Sequence, residues 1–466
     1  MTPSPPRSGP AGADRPLCRT GRYVAVEVLC RLQRERCPVK ALLDRQAKTR
    51  GLSELDRGLA MELVFGVLRH RQVLERMVAL LSRTPPAKIE PFVMNTLSVG
   101  LYQLFFLDRI PPPAAVHAMV EVAKGHPLPT RLQGFINGIL RQALRQREQL
   151  PLAAAVGADG QPLLNHPPWL VTRWRQRYGD EETARICRSN NEEPLLVLCT
   201  NTAKTGRDEL LALLRQHGLD ATPGRYAPQA IALPGYRGRV ADLPGYGEGF
   251  FQVQDEAAQL ATLLLLPLRR GGRYVDACAG VGGKTTLLLQ HASRLDVEVH
   301  AVEPDALRRG RLGENVARLG LGEGLSVHGQ TLQEFASGRE ASYDGIFLDA
   351  PCSGTGVIGR QPDIRWNRRR DDLALYQHQQ LELLEAAAPP LAEGGTLVYA
   401  TCSLEPEEDL EVVATFLEGH RDFCRDDCAP LLPEEARHLV VDGCFQPRPE
   451  RTIDGFFAAR LRRCTG

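Results

Sequence analysis

In the first third of the chain, apolar residues recur every three to four positions. Tyr23, Val24, Val28, Leu29 and Leu32 fall on one helical face, as do Leu59, Leu63, Val67, Leu74, Val78 and Leu81. Pro85-Pro86, Pro111-Pro112-Pro113 and Pro127 interrupt the pattern, so residues 17–150 are predicted to be an all-α domain of short helices. Residues 1–16, rich in Pro, Gly and Ser and without an apolar stretch, read as a disordered leader and not as a signal peptide. After a loose Gly/Pro/Ala stretch from Pro151 to Pro168 the pattern changes. Trp169–Arg188 has helical spacing, Leu195-Leu196-Val197-Leu198 has the look of a strand, and Asp208–His217 that of a helix. Residues 160–250 are therefore expected to be a small α+β linking module. From 251 to 466 short apolar runs alternate with helical segments, the signature of a doubly wound, Rossmann-like α/β sheet. No run of about 18 apolar residues occurs, so no membrane span is expected.

The residues that end those apolar runs narrow the chemistry. Gly345-Ile346-Phe347-Leu348 leads into Asp349-Ala350-Pro351-Cys352-Ser353-Gly354-Thr355-Gly356, and Thr396-Leu397-Val398-Tyr399-Ala400 leads into Thr401-Cys402-Ser403. Open α/β sheets place their ligand crevice at the carboxyl ends of the strands. Both thiols and Asp349 are then expected at one crevice, an arrangement suited to nucleophilic chemistry. A third run, Arg273-Tyr274-Val275, leads through Asp276-Ala277 into Cys278-Ala279-Gly280-Val281-Gly282-Gly283-Lys284 and a helix. Glycines there let a ligand approach the backbone, and the helix start offers free N–H groups. A P-loop would need glycine at Cys278, and a dinucleotide fingerprint would need one at Thr285. A single adenosyl ligand remains compatible. The next strand, Val297–Val302, ends at Glu303, whose carboxylate can accept from two ribose hydroxyls.

The formal net charge of +1 hides an asymmetry. Residues 1–150 carry 23 Lys and Arg against 12 Asp and Glu, whereas residues 276–466 carry 20 against 31. A basic front suggests a polyanionic partner. The 12 cysteines have no regular spacing, and the Cys424, Cys428, Cys444 and Cys464 group lacks paired ligand spacing, so no metal site is assigned. Reduced thiols in a cytoplasmic protein are the expectation.

Together these pieces resemble the bacterial small-subunit rRNA cytosine-5 methyltransferases of the RsmB (Sun/Fmu) type, over about residues 17–463. The likeness is strongest in Asp349–Val357 with Gln361-Pro362-Asp363-Ile364-Arg365-Trp366, and next in Thr401-Cys402-Ser403. The helical front resembles NusB-like RNA-binding domains through Asp56-Arg57, Gly66-Val67-Leu68-Arg69, Leu101-Tyr102-Gln103-Leu104 and Phe135–Arg141. The resemblance implies S-adenosylmethionine as cofactor, held by Cys278, Ala279, Gly280, Val281, Gly282, Gly283, Lys284, Glu303, Gln330 and Asp349. It implies Cys402 as the nucleophile, Cys352 as the group assisting release, and Asp349 as the residue holding the ring; the residues alone leave open which cysteine attacks. Three positions depart from the family pattern: Gly280-Val281 replace Ala-Pro, and Glu303 and Gln330 each stand where Asp is usual.

A base must leave its stack to reach such a crevice. Arg360, Arg365, Arg368, Arg369 and Arg370, with Trp366 among them, read as a basic single-strand channel beside Cys352. The expected partner is RNA, rRNA before tRNA, acted on by a monomer. The rival from another class is a non-enzymatic RNA-binding assembly or antitermination factor.

Overall fold

The computed structural model describes residues 16–293, 295–338 and 342–465. Except for Pro16, the expected leader lies outside them. The chain divides into two compact units, one made of the described residues up to Asn191 together with Gln361–Asn367, the other of Glu192–Arg360 with Arg368 onward.

The first unit is helical. Helices Gly21–Leu32, Val39–Arg50, Glu54–Arg69, Arg71–Leu81, Pro91–Phe106, Pro112–Gly125 and Thr130–Arg145 follow one another, and the helix Pro168–Asn191 is kinked at Gly179. Side-chain caps fix several starts: the Thr20 hydroxyl accepts from Tyr23 N–H and the Ser53 hydroxyl from Asp56 N–H. Pro91 and Pro112 open their helices, where a missing N–H is harmless. Helix Pro91–Phe106 is buried from Phe92 through Leu104, so it forms the centre of the bundle.

The segment Gln361–Asn367, read from sequence as part of a basic single-strand channel, belongs to this helical unit. Arg365 is 0% exposed. Its Nη1 donates to the Asn165 carbonyl at 3.0 Å and to Asn191 Oδ1 at 2.5 Å, and its Nη2 donates to the Asn190 carbonyl at 2.7 Å. Trp366 Nε1 donates to the Leu68 carbonyl at 2.8 Å, and Arg71 stacks on the indole. Full burial removes Arg365 from the expected RNA channel, whereas Trp366 is held on one side by these contacts and stays half-buried.

The second unit carries two sheets. Strands β1 (Leu196–Thr200), β2 (Thr222–Pro223), β3 (Ala230–Leu233) and β4 (Phe251–Val253) form an antiparallel sheet in the order β2-β3-β1-β4, beside helix Arg207–Gln216. This is the small α+β module. The larger sheet has a parallel centre of β5 (Arg273–Asp276), β6 (Glu298–Val302), β7 (Leu325–His328), β8 (Tyr343–Asp349) and β9 (Leu391–Thr401), in the order β9-β8-β5-β6-β7. Strand β10 (Phe423–Asp426), the short β11 (Val440–Val441) and β12 (Cys444–Phe445), and β13 (Phe457–Arg463) complete it, β13 lying antiparallel to β9. Ile346, Phe347 and Leu348 on β8 and Leu397 to Ala400 on β9 are all 0% exposed. Runs buried on both faces are the mark of a parallel sheet covered by helices, here including Gly283–Ala292, Ala306–Leu319 and Asp372–Ala387. Because β5 to β9 run in one direction, Asp276, Glu303, Asp349 and Cys402 emerge at one edge. Among the described residues no helix is long and apolar enough to cross a membrane.

Candidate active site

Strands β8 and β9 pair with Asp349 opposite Ala400, and the Ala350 N–H still donates to the Ala400 carbonyl at 2.9 Å. Cys352 and Cys402 therefore leave adjacent strands at the same level. Their sulfurs lie 3.3 Å apart, and the Gly356 N–H ties the first loop to the second by donating to the Cys402 carbonyl at 3.0 Å. The neighbouring Cys402 sulfur and burial together push the Cys352 thiol well above its ordinary pKa.

Beside the thiols lies an ion pair. Lys284 Nζ donates to Asp349 Oδ2 at 2.5 Å and sits 5.9 Å and 5.6 Å from the centres of the Phe347 and Phe456 rings. Burial works against the ammonium, but Asp349 outweighs it and holds the Lys284 pKa above its ordinary value. A fixed carboxylate, a fixed cation and two touching thiols thus share one edge of the sheet.

Sequence reasoning passed over Glu408. The run Glu405-Pro406-Glu407-Glu408-Asp409 looks like a solvated helix start, yet Glu408 is 0% and Asp409 3% exposed. Asp409 accepts from the Thr401 hydroxyl at 2.7 Å, directly before Cys402. Glu408 reaches the residues directly after each cysteine, accepting from the Ser353 N–H and the Ser403 hydroxyl, each at 2.6 Å. In sequence this run, which starts two residues after Ser403, carries no mark of its burial.

The glycine turn follows β5. Gly282 has φ +88, and a Cβ there would meet Leu312 at 2.9 Å; only glycine fits. Gly280 has φ +57 and open space where a side chain would stand. Its N–H donates to Glu303 Oε2 at 3.0 Å, and the Asp305 N–H donates to Oε1 at 2.8 Å. Glu303 is 4% exposed, so its carboxylate is fixed from behind by backbone and keeps further lone pairs for other donors. Arg309 spans the same loop, donating to the Glu303 and Pro304 carbonyls at 2.8 Å and 2.7 Å. Ala279 is buried, Cys278 and Gly283 half-buried, and Val281 exposed, its carbonyl accepting from Asn315 Nδ2 at 3.0 Å. Burial raises the Cys278 thiol, which packs as a neutral group. Asp276 accepts from the Thr285 hydroxyl at 2.6 Å, and burial raises its pKa to about 6. Gln330 follows β7, half-buried. An anchored carboxylate, bare backbone at Gly280 and a helix N-terminus at Gly283 fit the chemistry of an adenosyl ligand such as S-adenosylmethionine.

The remaining arginines are not brought together as one strip. Arg360 is an internal tie: Nε donates to Asp454 at 2.6 Å, Nη2 to Asp255 at 2.7 Å and Nη1 to the Leu195 carbonyl at 3.0 Å. Arg368 donates to the Ser353 carbonyl at 2.9 Å and lies over Tyr376. Arg369 and Arg370 are exposed. Arg360 and Arg365 are thus committed to internal partners, because a local run of arginines does not reveal distant acceptors, while Arg368 is half-buried.

Comparison with known proteins gives the same outline. The family described as 16S rRNA methyltransferase RsmB/F matches residues 263–462, the NusB family residues 19–145, and the ferredoxin-like domain of RsmF/B-like methyltransferases residues 166–237. The probable ribosomal RNA small subunit methyltransferase B of Bacillus subtilis (strain 168) is 34% identical over 458 residues, covering 95% of this chain and 98% of that protein. The chain belongs to the RsmB/F family of 16S rRNA methyltransferases. Ribosomal RNA small subunit methyltransferase B of Yersinia enterocolitica is 39% identical over 413 residues, or 88% of this chain and 92% of that one. The crystal structure of PH0851 shares the fold, with a TM-score of 0.74 at 24% identity over 96% of this chain and 99% of that chain. Both cysteines, the Lys284–Asp349 pair, Glu303 and Glu408 fall within the residues matched by the RsmB/F family.

Proposed function

We propose that this enzyme methylates carbon 5 of a cytosine in 16S rRNA, with Cys402 as nucleophile, Cys352 assisting release and Asp349 holding the base. The observation that carries this reading is the contact of two thiols beside the Lys284–Asp349 pair. One thiol suffices for attack, so the second has a separate step. Attack is assigned to Cys402 and release to Cys352, as the resemblance carried by Thr401-Cys402-Ser403 and Asp349–Val357 implies. The Cys402 thiolate adds to carbon 6 of cytosine, and carbon 5 gains electron density. Cys278–Lys284, Glu303 and Gln330 would hold S-adenosylmethionine, which would supply an electrophilic methyl group to that carbon. Asp349, fixed by Lys284, would accept from the ring at nitrogen 3 once the adduct takes up a proton from solvent there. Transfer of the carbon-5 proton to a water molecule re-forms the double bond and expels Cys402 as its thiolate, with Cys352 next to the leaving sulfur. The basic helical unit and the exposed Arg369 and Arg370 supply phosphate contacts to an unpaired or extruded stretch of RNA. The reaction belongs in the cytoplasm, where rRNA and reduced thiols coexist.

Bisulfite sequencing of 16S rRNA and tRNA from cells with and without the gene tests this. One 16S cytosine should resist conversion only when the gene is present. Protection of a tRNA cytosine, or of none, overturns the assignment.

A further inference from the structure

Four donors converge on the Glu408 carboxylate. Oε1 accepts from the Ser353 N–H at 2.6 Å and from Gln380 Nε2 at 3.3 Å; Oε2 accepts from the Ser403 hydroxyl at 2.6 Å and from the Ser353 hydroxyl. Ser353 directly follows Cys352, and Ser403 directly follows Cys402. Gln380 also donates to the Pro351 carbonyl at 2.9 Å, directly before Cys352. A carboxylate has about four acceptor sites, and all four donors come from the cysteine loops or from a residue bracing them. Burial raises the Glu408 pKa, opposed by these same hydrogen bonds. Ser353, Ser403 and Gln380 are each 0% exposed. Two short loops could be packed together by apolar side chains at lower desolvation cost. A buried acceptor adds directionality, since it fixes both loops relative to one point.

We propose that Glu408 is a positioning residue that sets the separation of the two active-site sulfurs by tying the residue after each cysteine to one carboxylate. It touches no reacting atom. The catalytic meaning of this rests on the reading that both thiols act on one base, but the geometric claim does not. A misplacement of about 1 Å in such a site costs on the order of 10²-fold in rate.

The test uses the full-length chain and diamide. This diazene oxidises two adjacent thiols to a disulfide and takes up both hydrogens as the hydrazine. Peptide mapping follows the rate of the Cys352–Cys402 cross-link. Wild type should cross-link this pair readily, its sulfurs being 3.3 Å apart. Glu408→Ala should slow that cross-link on the order of tenfold or more and lower kcat by about 10²-fold with KM unchanged. Glu408→Gln should restore the cross-linking rate, because the amide oxygen still serves the Ser353 N–H while both hydroxyls turn to accept from the amide nitrogen. Ser403→Ala removes one tie and leaves the other three, which covers the case in which Glu408→Ala does not fold; it too should slow the cross-link. Unchanged cross-linking in Glu408→Ala or Ser403→Ala overturns the proposal, whatever the methyltransferase activity. Equal slowing in Glu408→Gln assigns the effect to charge and also overturns it. Normal cross-linking with no methylation of any RNA by wild type would instead count against the functional reading alone.

Discussion

Gly356 and Gly455 pass so close that a Cβ on Gly356 would lie 2.1 Å from the Gly455 carbonyl oxygen. The Gly455 N–H donates to the Gly356 carbonyl at 2.9 Å, and the Gly356 N–H donates to the Cys402 carbonyl at 3.0 Å. The segment entering β13 is thereby a wall against which both cysteine loops rest. Gly356→Ala must push this wall away, at a cost of about 1–3 kcal/mol for overpacking. Chemical denaturation should show that loss, and kcat should fall on the order of 10²-fold as the loops shift. Full activity in this variant would mean that the loops tolerate displacement.

The two cysteines should fail in different ways. Cys402→Ala should bind RNA and form no covalent adduct. Cys352→Ala should attack and then stall, leaving an RNA-linked protein that survives denaturing electrophoresis. An adduct in Cys402→Ala and none in Cys352→Ala would reverse the roles.

Glu303 holds the turn in addition to the ribose role proposed for it: its oxygens already accept the Gly280 and Asp305 N–H groups. Glu303→Ala removes charge-assisted bonds worth about 1.5–3 kcal/mol each. Calorimetry should show S-adenosylmethionine binding weakened by at least about tenfold. Unchanged affinity would place the ribose elsewhere.

Asp276 gives the folded protein a pH dependence of known sign. Burial raises its pKa from 3.8 to about 6, so between those values the native state holds a proton that the unfolded chain has released. Its stabilising contribution is complete below about pH 4 and is lost as pH rises through about 6. The shift corresponds to about 3 kcal/mol less stability at pH 7. Asp276→Asn should therefore unfold at higher denaturant concentration than wild type at pH 7, and the gap should close at pH 4. A gap that does not change with pH would show that Asp276 does not titrate in this range.

The charge excess of the helical unit has a local expression. Arg19, Arg31, Arg45, Lys48 and Arg50 line a groove of about 830 Å³, with Glu35 as the acidic member. Arg45→Glu with Lys48→Glu should weaken RNA binding and make the salt dependence shallower by about 0.7 for each phosphate no longer neutralised. Filter binding across a salt series measures both. An unchanged slope would leave this groove outside the RNA path.

The strands, the glycine turn and the cysteine motifs were legible because each is written in adjacent residues: an apolar run of four to five followed directly by its reactive group. Burial of Ile346 to Leu348 and Leu397 to Ala400 bears out the two runs that carry the cysteines. The helical front was legible for the same reason, with Pro91 and Pro112 opening helices near the expected breaks. Charge used internally escaped. Arg360 meets Asp454 from 94 residues away, and Arg365 meets Asn165 from 200 residues away. No local periodicity encodes such a pairing, so both arginines look solvated in sequence. Glu408 escaped because an acidic run reads the same whether it faces water or caps two loops.

The excursion of Gln361–Asn367 into the helical unit has a consequence for synthesis. Translation finishes the contiguous part of that unit at Asn191, yet its last piece leaves the ribosome only after Asn367. At about 5–20 residues per second, the intervening stretch takes roughly 10–35 seconds to make. Throughout that interval the carbonyls of Asn165 and Asn190 and the groove that takes the Trp366 indole are without their partners. The nascent helical domain is therefore born with an unfilled socket, and the segment that closes it is encoded directly after the Cys352 motif, so the helical domain is completed only once about half of residues 251–466 has been translated.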